Sequence, residues 1–296
     1  MPDFKMQQYL LNHNFMIEYK TINVVGGKNY MERLNPNEII MNFIDKMDYL
    51  NNEHVLGCFF YGSYLTGFNN TNSDIDLHII FDNTDPKHLI RGNDSIDGLR
   101  IEYFEKPIND IYLSVDNDFN NQNNAMLSII GTSSIIFDKT GDLHKLQQYA
   151  LEKFSNPLPP LEVEDAREYV SILNNRMEKL ENAANNNDPY FYHLYHLTIE
   201  KIRKFYHKLN GMPEVQTSKV FKVYTDEEYR KSFYKDNIPE EEFVAMYLDA
   251  TTDISTDMQS KLNKAKNLFN YAKRNVSLNK NRYRIIIKSR NNNIKR

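Results

Sequence analysis

Apolar residues recur at helical spacing from Asn35 onward. In "NPNEIIMNFIDKMDYLNN" the residues Ile39, Ile40, Phe43, Ile44, Met47 and Leu50 share one side, with polar cap candidates at the start. The period then changes. "HVLGCFFYG" is a short apolar run that ends at a glycine, "SYLTGFNN" reads as a turn or helical segment, and "SDIDLHIIFD" alternates strictly, as a half-buried strand does. A third strand runs through "GLRIEYFEKP", with Leu99, Ile101 and Tyr103 on one face and Arg100, Glu102 and Phe104 on the other. "SSIIFDKTGDLHKLQQYALEKF" reads as a short strand, a turn and another helix.

The proline-rich stretch "NPLPPL" (Asn156 to Leu161) interrupts this alternation. Beyond it the pattern is that of amphipathic helices: "EDAREYVSILNNRMEKLENA", "PYFYHLYHLTIEKIRKFYHKLNG", "PEEEFVAMYLDATTDI" and "DMQSKLNKAKNLFNYAKR". The chain is therefore predicted to be α+β, with a domain of strands and helices over residues 1–155, an α-helical domain over 156–273 and a basic tail over 274–296. Near the start, Gly26 and Gly27 in "VVGGKN" make no dinucleotide fingerprint and read as a hairpin or loop turn.

Composition narrows the class. A chain of 296 residues that is 41% hydrophobic can build a sizeable core without staples, and its one cysteine excludes an intramolecular disulfide framework. Cys58, inside "VLGCFFY", reads as a small buried hydrophobe. With no apolar stretch of 18 residues and no leading charged-then-apolar segment, the expectation is a soluble cytoplasmic protein without a membrane partner. The net charge of −4 conceals an asymmetry: nine Lys or Arg and no acid follow from Lys273, so the body carries 27 bases against 40 acids, near −13. An acidic body is a poor general nucleic-acid clamp. The tail remains either a solvated terminal segment or a small arm for anions or RNA.

Two carboxylates interrupt the most strand-like run. Residues i and i+2 of a strand point the same way, so Asp74 and Asp76, with His78, project from one face while Ile75, Leu77 and Ile79 bury the other. Like charges so close resist ionisation unless a cation sits between them, and a hard divalent ion such as Mg²⁺ suits carboxylate oxygens. Glu102, on the outward face of its strand, is the third candidate ligand or general base, whereas Glu105 falls on the face of Ile101 and Tyr103. Gly62 and Ser63 open a turn whose backbone N–H groups and hydroxyl suit an anion such as a triphosphate. A Walker A loop is excluded, because Phe68 stands where that motif needs Lys.

At Gly62, Ser63, Asp74, Asp76 and Glu102 the sequence resembles the nucleotidyltransferase superfamily related to DNA polymerase β: an apolar strand, Gly-Ser, about ten residues, Asp-x-Asp, and a later acid. More loosely, "TSSIIFDKTGDLHKLQQYA" followed by helices is similar to the bacterial branch that adenylylates aminoglycosides and lincosamides. The resemblance implies a mixed sheet flanked by helices and two Mg²⁺ ions. It implies transfer of a nucleoside monophosphate, AMP from ATP, to a hydroxyl. It also implies a small-molecule acceptor such as an antibiotic, the alternative being tRNA, protein or a nucleotide signal. Lys201, Arg203, Lys204 and Lys208 cluster on one helix; they read as a solvated face or, as the superfamily suggests for Lys201 and Lys204, as contacts to the nucleotide phosphates. His193 and His196 have metal-compatible spacing but no third ligand in register, so no zinc site is expected, and His78 reads as a polar lining residue.

Overall fold

The computed structural model describes residues 35–276 apart from 124 and 234–237. The Gly26–Gly27 turn and all but the first three residues of the basic tail lie outside the described residues. Helix α1 (Pro36–Lys46) begins where the sequence asks for it: Asn35 Oδ1 accepts the Asn37 N–H at 3.1 Å and Pro36 takes the first helical position. Its buried stripe is Ile39, Ile40, Phe43 and Ile44.

A five-stranded mixed sheet follows, made of β1 (Val55–Tyr61), β2 (Ile75–Phe81), β3 (Ile90–Ile96), β4 (Leu99–Pro107) and β5 (Ser134–Asp138) in the order β3-β4-β2-β1-β5. Only β2 and β4 run parallel; the other neighbours are antiparallel. A one-turn helix, α2 (Ser63–Thr66), leaves β1, and α3 (Ile108–Asn120), α4 (Ala125–Thr132) and α5 (Asp142–Ser155) cover one sheet face. Strand β3 was not anticipated. It pairs with β4 through the two-residue turn Asp97-Gly98, both in the left-handed region at φ 50° and 82°. Asp-Gly supplies that turn, since glycine has no Cβ penalty there and Asp tolerates it.

Alternation places the two halves of β2. Ile75, Leu77, Ile79 and Phe81 pack with Phe60, Ile101 and the α1 stripe. On the opposite face Ile80 and Phe59 pack beneath Ile111, Val115, Leu127, Ile130 and Leu146 of the covering helices. The carboxyl end of β2 is thus buried on both faces, while at its amino end Asp76 stays partly open. Each of these fully buried side chains contributes roughly 1.5–3 kcal/mol by leaving water.

The helical region comprises α6 (Val163–Asn185), α7 (Phe191–Leu209), α8 (Val220–Thr225), α9 (Glu227–Phe233), α10 (Glu241–Thr252) and α11 (Met258–Ala272), with a 3₁₀ turn at Thr217–Lys219. It has its own core, including Leu173, Leu180, Ile199, Ile202, Phe243 and Leu268. Phe68, just after α2, packs against that core and meets the Tyr229 ring edge-on, with centroids 5.1 Å apart. No described helix is long and apolar enough to cross a membrane.

Candidate active site on the open sheet face

Strand register builds the site. Tyr61 lies opposite Asp76, Asp76 beside Glu102, and Glu102 opposite Asn93, so one rung crosses four strands. Neighbouring strands are about 4.8 Å apart, and paired residues project to the same face. Asp76 and Glu102 therefore stand side by side. Asp74, two residues before Asp76 and immediately ahead of β2, belongs to the same face. All three acids are partly exposed.

Gly62 closes the site from the β1 side. Its φ of +87° is costly for any residue with a Cβ, and a Cβ built there would overlap Asp76 Oδ2. The backbone conformation requires the glycine, and its missing Cβ lets the turn lie against the carboxylate in the position found. The turn is tightened by the Phe68 N–H donating to the Ser63 carbonyl at 3.0 Å and by Gly67, also left-handed.

The three acids are held differently. Arg100 Nε donates to Asp74 Oδ1 at 2.6 Å, and Arg91 Nε donates to Glu102 Oε1 at 2.7 Å. Both arginine side chains are about two-thirds exposed, at 67% and 68%. Asp76 is hindered from carrying charge: burial first, then the charges of Glu102 and Asp74, push its carboxyl up to about 7, against an opposing pull from Lys219. The Tyr61 hydroxyl is driven upward by burial and then by Asp76 and Glu102.

One rung further in, His78 pairs with Phe59 and Phe104. Its ring stacks on Phe104 with centroids 5.1 Å apart and lies against Tyr61 at the same distance, and burial lowers its pKa to about 3. Neither ring nitrogen has a hydrogen-bond partner among the described residues. The histidine is packed below the acids and is shut off from solvent. Cys58 is likewise buried, which pushes its thiol up, and Glu105 lies on the α1 side, accepting from Tyr49 at 2.6 Å.

The residues expected on α7 are not brought to the acid rung as a group. Lys204 pairs with Glu214, and Arg203 is fully buried against Glu200. Lys201 lines a groove with Asp165, Glu168 and Tyr169 of α6 and Asn121 beyond α3. His193 and His196 are exposed. The cation of the helical region that acts on Asp76 is instead Lys219, which lies in a segment with no periodicity to draw attention to it.

Carboxylate oxygens are the donors a hard divalent cation prefers, and the like charge that, after burial, raises Asp76 is what such a cation relieves. Among the described residues, no three His, Cys, Asp or Glu side chains converge as a finished metal site. The donor chemistry fits the ion, and Arg91 and Arg100 occupy two of the acids.

Residues 47–142, which take in all five strands, match the family described as polymerase beta, nucleotidyltransferase. Among solved structures, the chain is similar to a nucleotidyltransferase-like protein from Exiguobacterium sibiricum at 14% identity and a TM-score of 0.45, covering 80% of this chain and 74% of that one. No curated protein matches it. On the family match, the sheet segment belongs to the DNA polymerase β-like nucleotidyltransferase superfamily.

Proposed function

We propose that the protein transfers a nucleoside monophosphate, AMP from ATP, to a hydroxyl of a small molecule. Residues 1–155 would act as the transferase domain, 156–273 as the helical domain facing it, and 274–296 as an appended basic tail. The observation that carries the reading is the rung of Asp76 beside Glu102 with Gly62 pressed against Asp76.

In the reaction, the acceptor oxygen attacks the α-phosphorus, the bond to the bridging α–β oxygen breaks, and pyrophosphate leaves. Glu102 accepts the proton of the attacking hydroxyl, as a general base positioned by β4. Gly62 and Ser63 bind the triphosphate beside Asp76. Asp74, Asp76 and Glu102 would hold Mg²⁺, two ions in all, which when bound offset charge on the phosphates and on the attacking and leaving oxygens. Arg91 and Arg100 must then leave Glu102 and Asp74, a cheap exchange, because exposed ion pairs contribute only about 0–1 kcal/mol. The acidic balance of the chain before Lys273, 27 bases against 40 acids, supports an acceptor of cationic character, such as an antibiotic, bound between the sheet and the helices.

Incubation with α-labelled nucleoside triphosphates and a panel of cationic antibiotics, other polyols, tRNA and protein tests the reading. Label should move from ATP to a small molecule, with pyrophosphate released. Labelling of tRNA or protein instead would move the acceptor to the macromolecular class, and no transfer from any triphosphate to any acceptor would overturn the reading.

A further inference from the structure

Strand β3 is an edge of the sheet, and among the described residues it pairs with β4 alone. Its backbone directions follow from the turn. Asp97-Gly98 joins the strands by two residues, so Ile96 and Leu99 close the hairpin as a hydrogen-bonded pair. Pairs alternate from there: Ile90, Gly92, Asp94 and Ile96 turn their backbone groups toward β4, whereas Arg91, Asn93 and Ser95 turn theirs outward. The Ser95 N–H accordingly donates to the Asp94 side chain, at 2.7 Å, and not to β4. Nothing blunts this edge. The strand "IRGNDSI" has no proline and no lysine, and its seven pairs with β4 run without a bulge.

The edge is complementary to itself in one register. With two copies antiparallel about a two-fold axis at Asn93, Arg91 faces the partner's Ser95, Ile90 faces the partner's Ile96 and Gly92 faces the partner's Asp94. Outward backbone groups then meet outward backbone groups. Ile90, 42% exposed, gains an apolar neighbour, no like charges stand opposite each other, and the partner's Asp97 lies diagonal to Arg91. The Tyr103 ring end and hydroxyl fill the space a Gly92 Cβ would take, where they meet the partner's Asp94. The neighbouring registers fail on chemistry: an axis at Asp94 sets that carboxylate against the partner's Asp94, and an axis at Gly92 sets Ile90 against it.

We propose that β3 is an interface between two copies of this chain, which pair antiparallel about Asn93 and join their five-stranded sheets into one. The acid rung ends at Asn93, so the axis falls at the end of the rung, and the partner's Ser95 stands beside Arg91, which binds Glu102. One strand edge is smaller than a standard interface, so the dimer is weak, with a Kd on the order of 10 µM. The interface does not depend on the transferase reading above.

Sedimentation velocity of the full chain from about 1 to about 100 µM tests the association, and the chain should pass from monomer to dimer across that range. Asn93→Pro removes the central outward N–H and no bond to β4, so it should hold the chain as a folded monomer throughout. Cysteines read the register. Cys58 is buried, and a hydrogen-bonded antiparallel pair has its Cα atoms about 5.5 Å apart, within disulfide reach. Asn93→Cys should therefore give a disulfide-linked dimer on mild oxidation, whereas Ser95→Cys, which faces the partner's Arg91, should not. These two variants decide the matter even if Asn93→Pro fails to fold. A monomer at about 100 µM, a dimer that survives Asn93→Pro, or cross-linking through Ser95→Cys and not Asn93→Cys would overturn the proposal.

Discussion

Two polar clusters of this molecule handle their carboxylates in opposite ways. On the sheet, Asp74, Asp76 and Glu102 are gathered so that burial and like charge raise Asp76 to about 7. In the helical region burial also opposes the charge of Glu200, but Arg203, Tyr247 and Thr217 all donate to it, and its pKa ends below the ordinary carboxylate range. Burial acts the same way on both; the partners differ. A satisfied carboxylate holds structure together, whereas one forced against other acids is set up to receive a cation.

Each side of that contrast can be broken. The largest effect is expected in the helical region: Arg203→Ala removes a fully buried side chain and leaves the partly buried Glu200 without its counter-ion, and urea denaturation should register a loss of roughly 3–5 kcal/mol. On the sheet, Asp76→Asn should reduce nucleotide transfer by about 10²-fold or more in the labelled-ATP assay. The same substitution should leave the fold intact and raise the thermal midpoint at pH 8 in metal-free buffer. The sign follows from linkage: an acid whose folded pKa is raised favours folding least when ionised, so its cost is absent below about pH 4 and complete above about pH 7.

A smaller change is expected from Glu102→Gln, which removes the larger of the two like charges acting on Asp76. The midpoint of Asp76 titration, followed by carboxyl-carbon NMR, should fall from about 7 toward the ordinary range. The smallest belongs to Arg100→Ala, an exposed partner of Asp74: stability should change by less than about 1 kcal/mol, and Mg²⁺ binding by calorimetry should tighten slightly.

The parts of this contrast that were legible in the sequence depended on local period. Alternation alone put Asp74 and Asp76 on one face, Glu102 on the outward face of β4 and Glu105 on the inward one, and all four are found there. Register was not legible, because nothing local dictates that Glu102 lands beside Asp76 rather than one residue away. Strand β3 was missed because "IRGNDSI" is largely exposed and polar; the Asp97-Gly98 turn was the available signal. The basic cluster of α7 concealed a division. Arg203 falls on the same stripe as Ile199, Ile202 and Tyr206, which by helical period alone argues for burial. The segment over 213–217 is held to α7 by contacts between residues 6 to 17 positions apart, with no repeat to betray them.

The place where a triphosphate binds tests the acid rung most directly. A crystal structure of the protein with a non-hydrolysable ATP analogue and Mg²⁺ should have the metal on Asp74 and Asp76, the phosphates against Gly62 and Ser63, and the arginines released from Glu102 and Asp74. Nucleotide bound elsewhere, with Arg91 and Arg100 still paired to those acids, would contradict it.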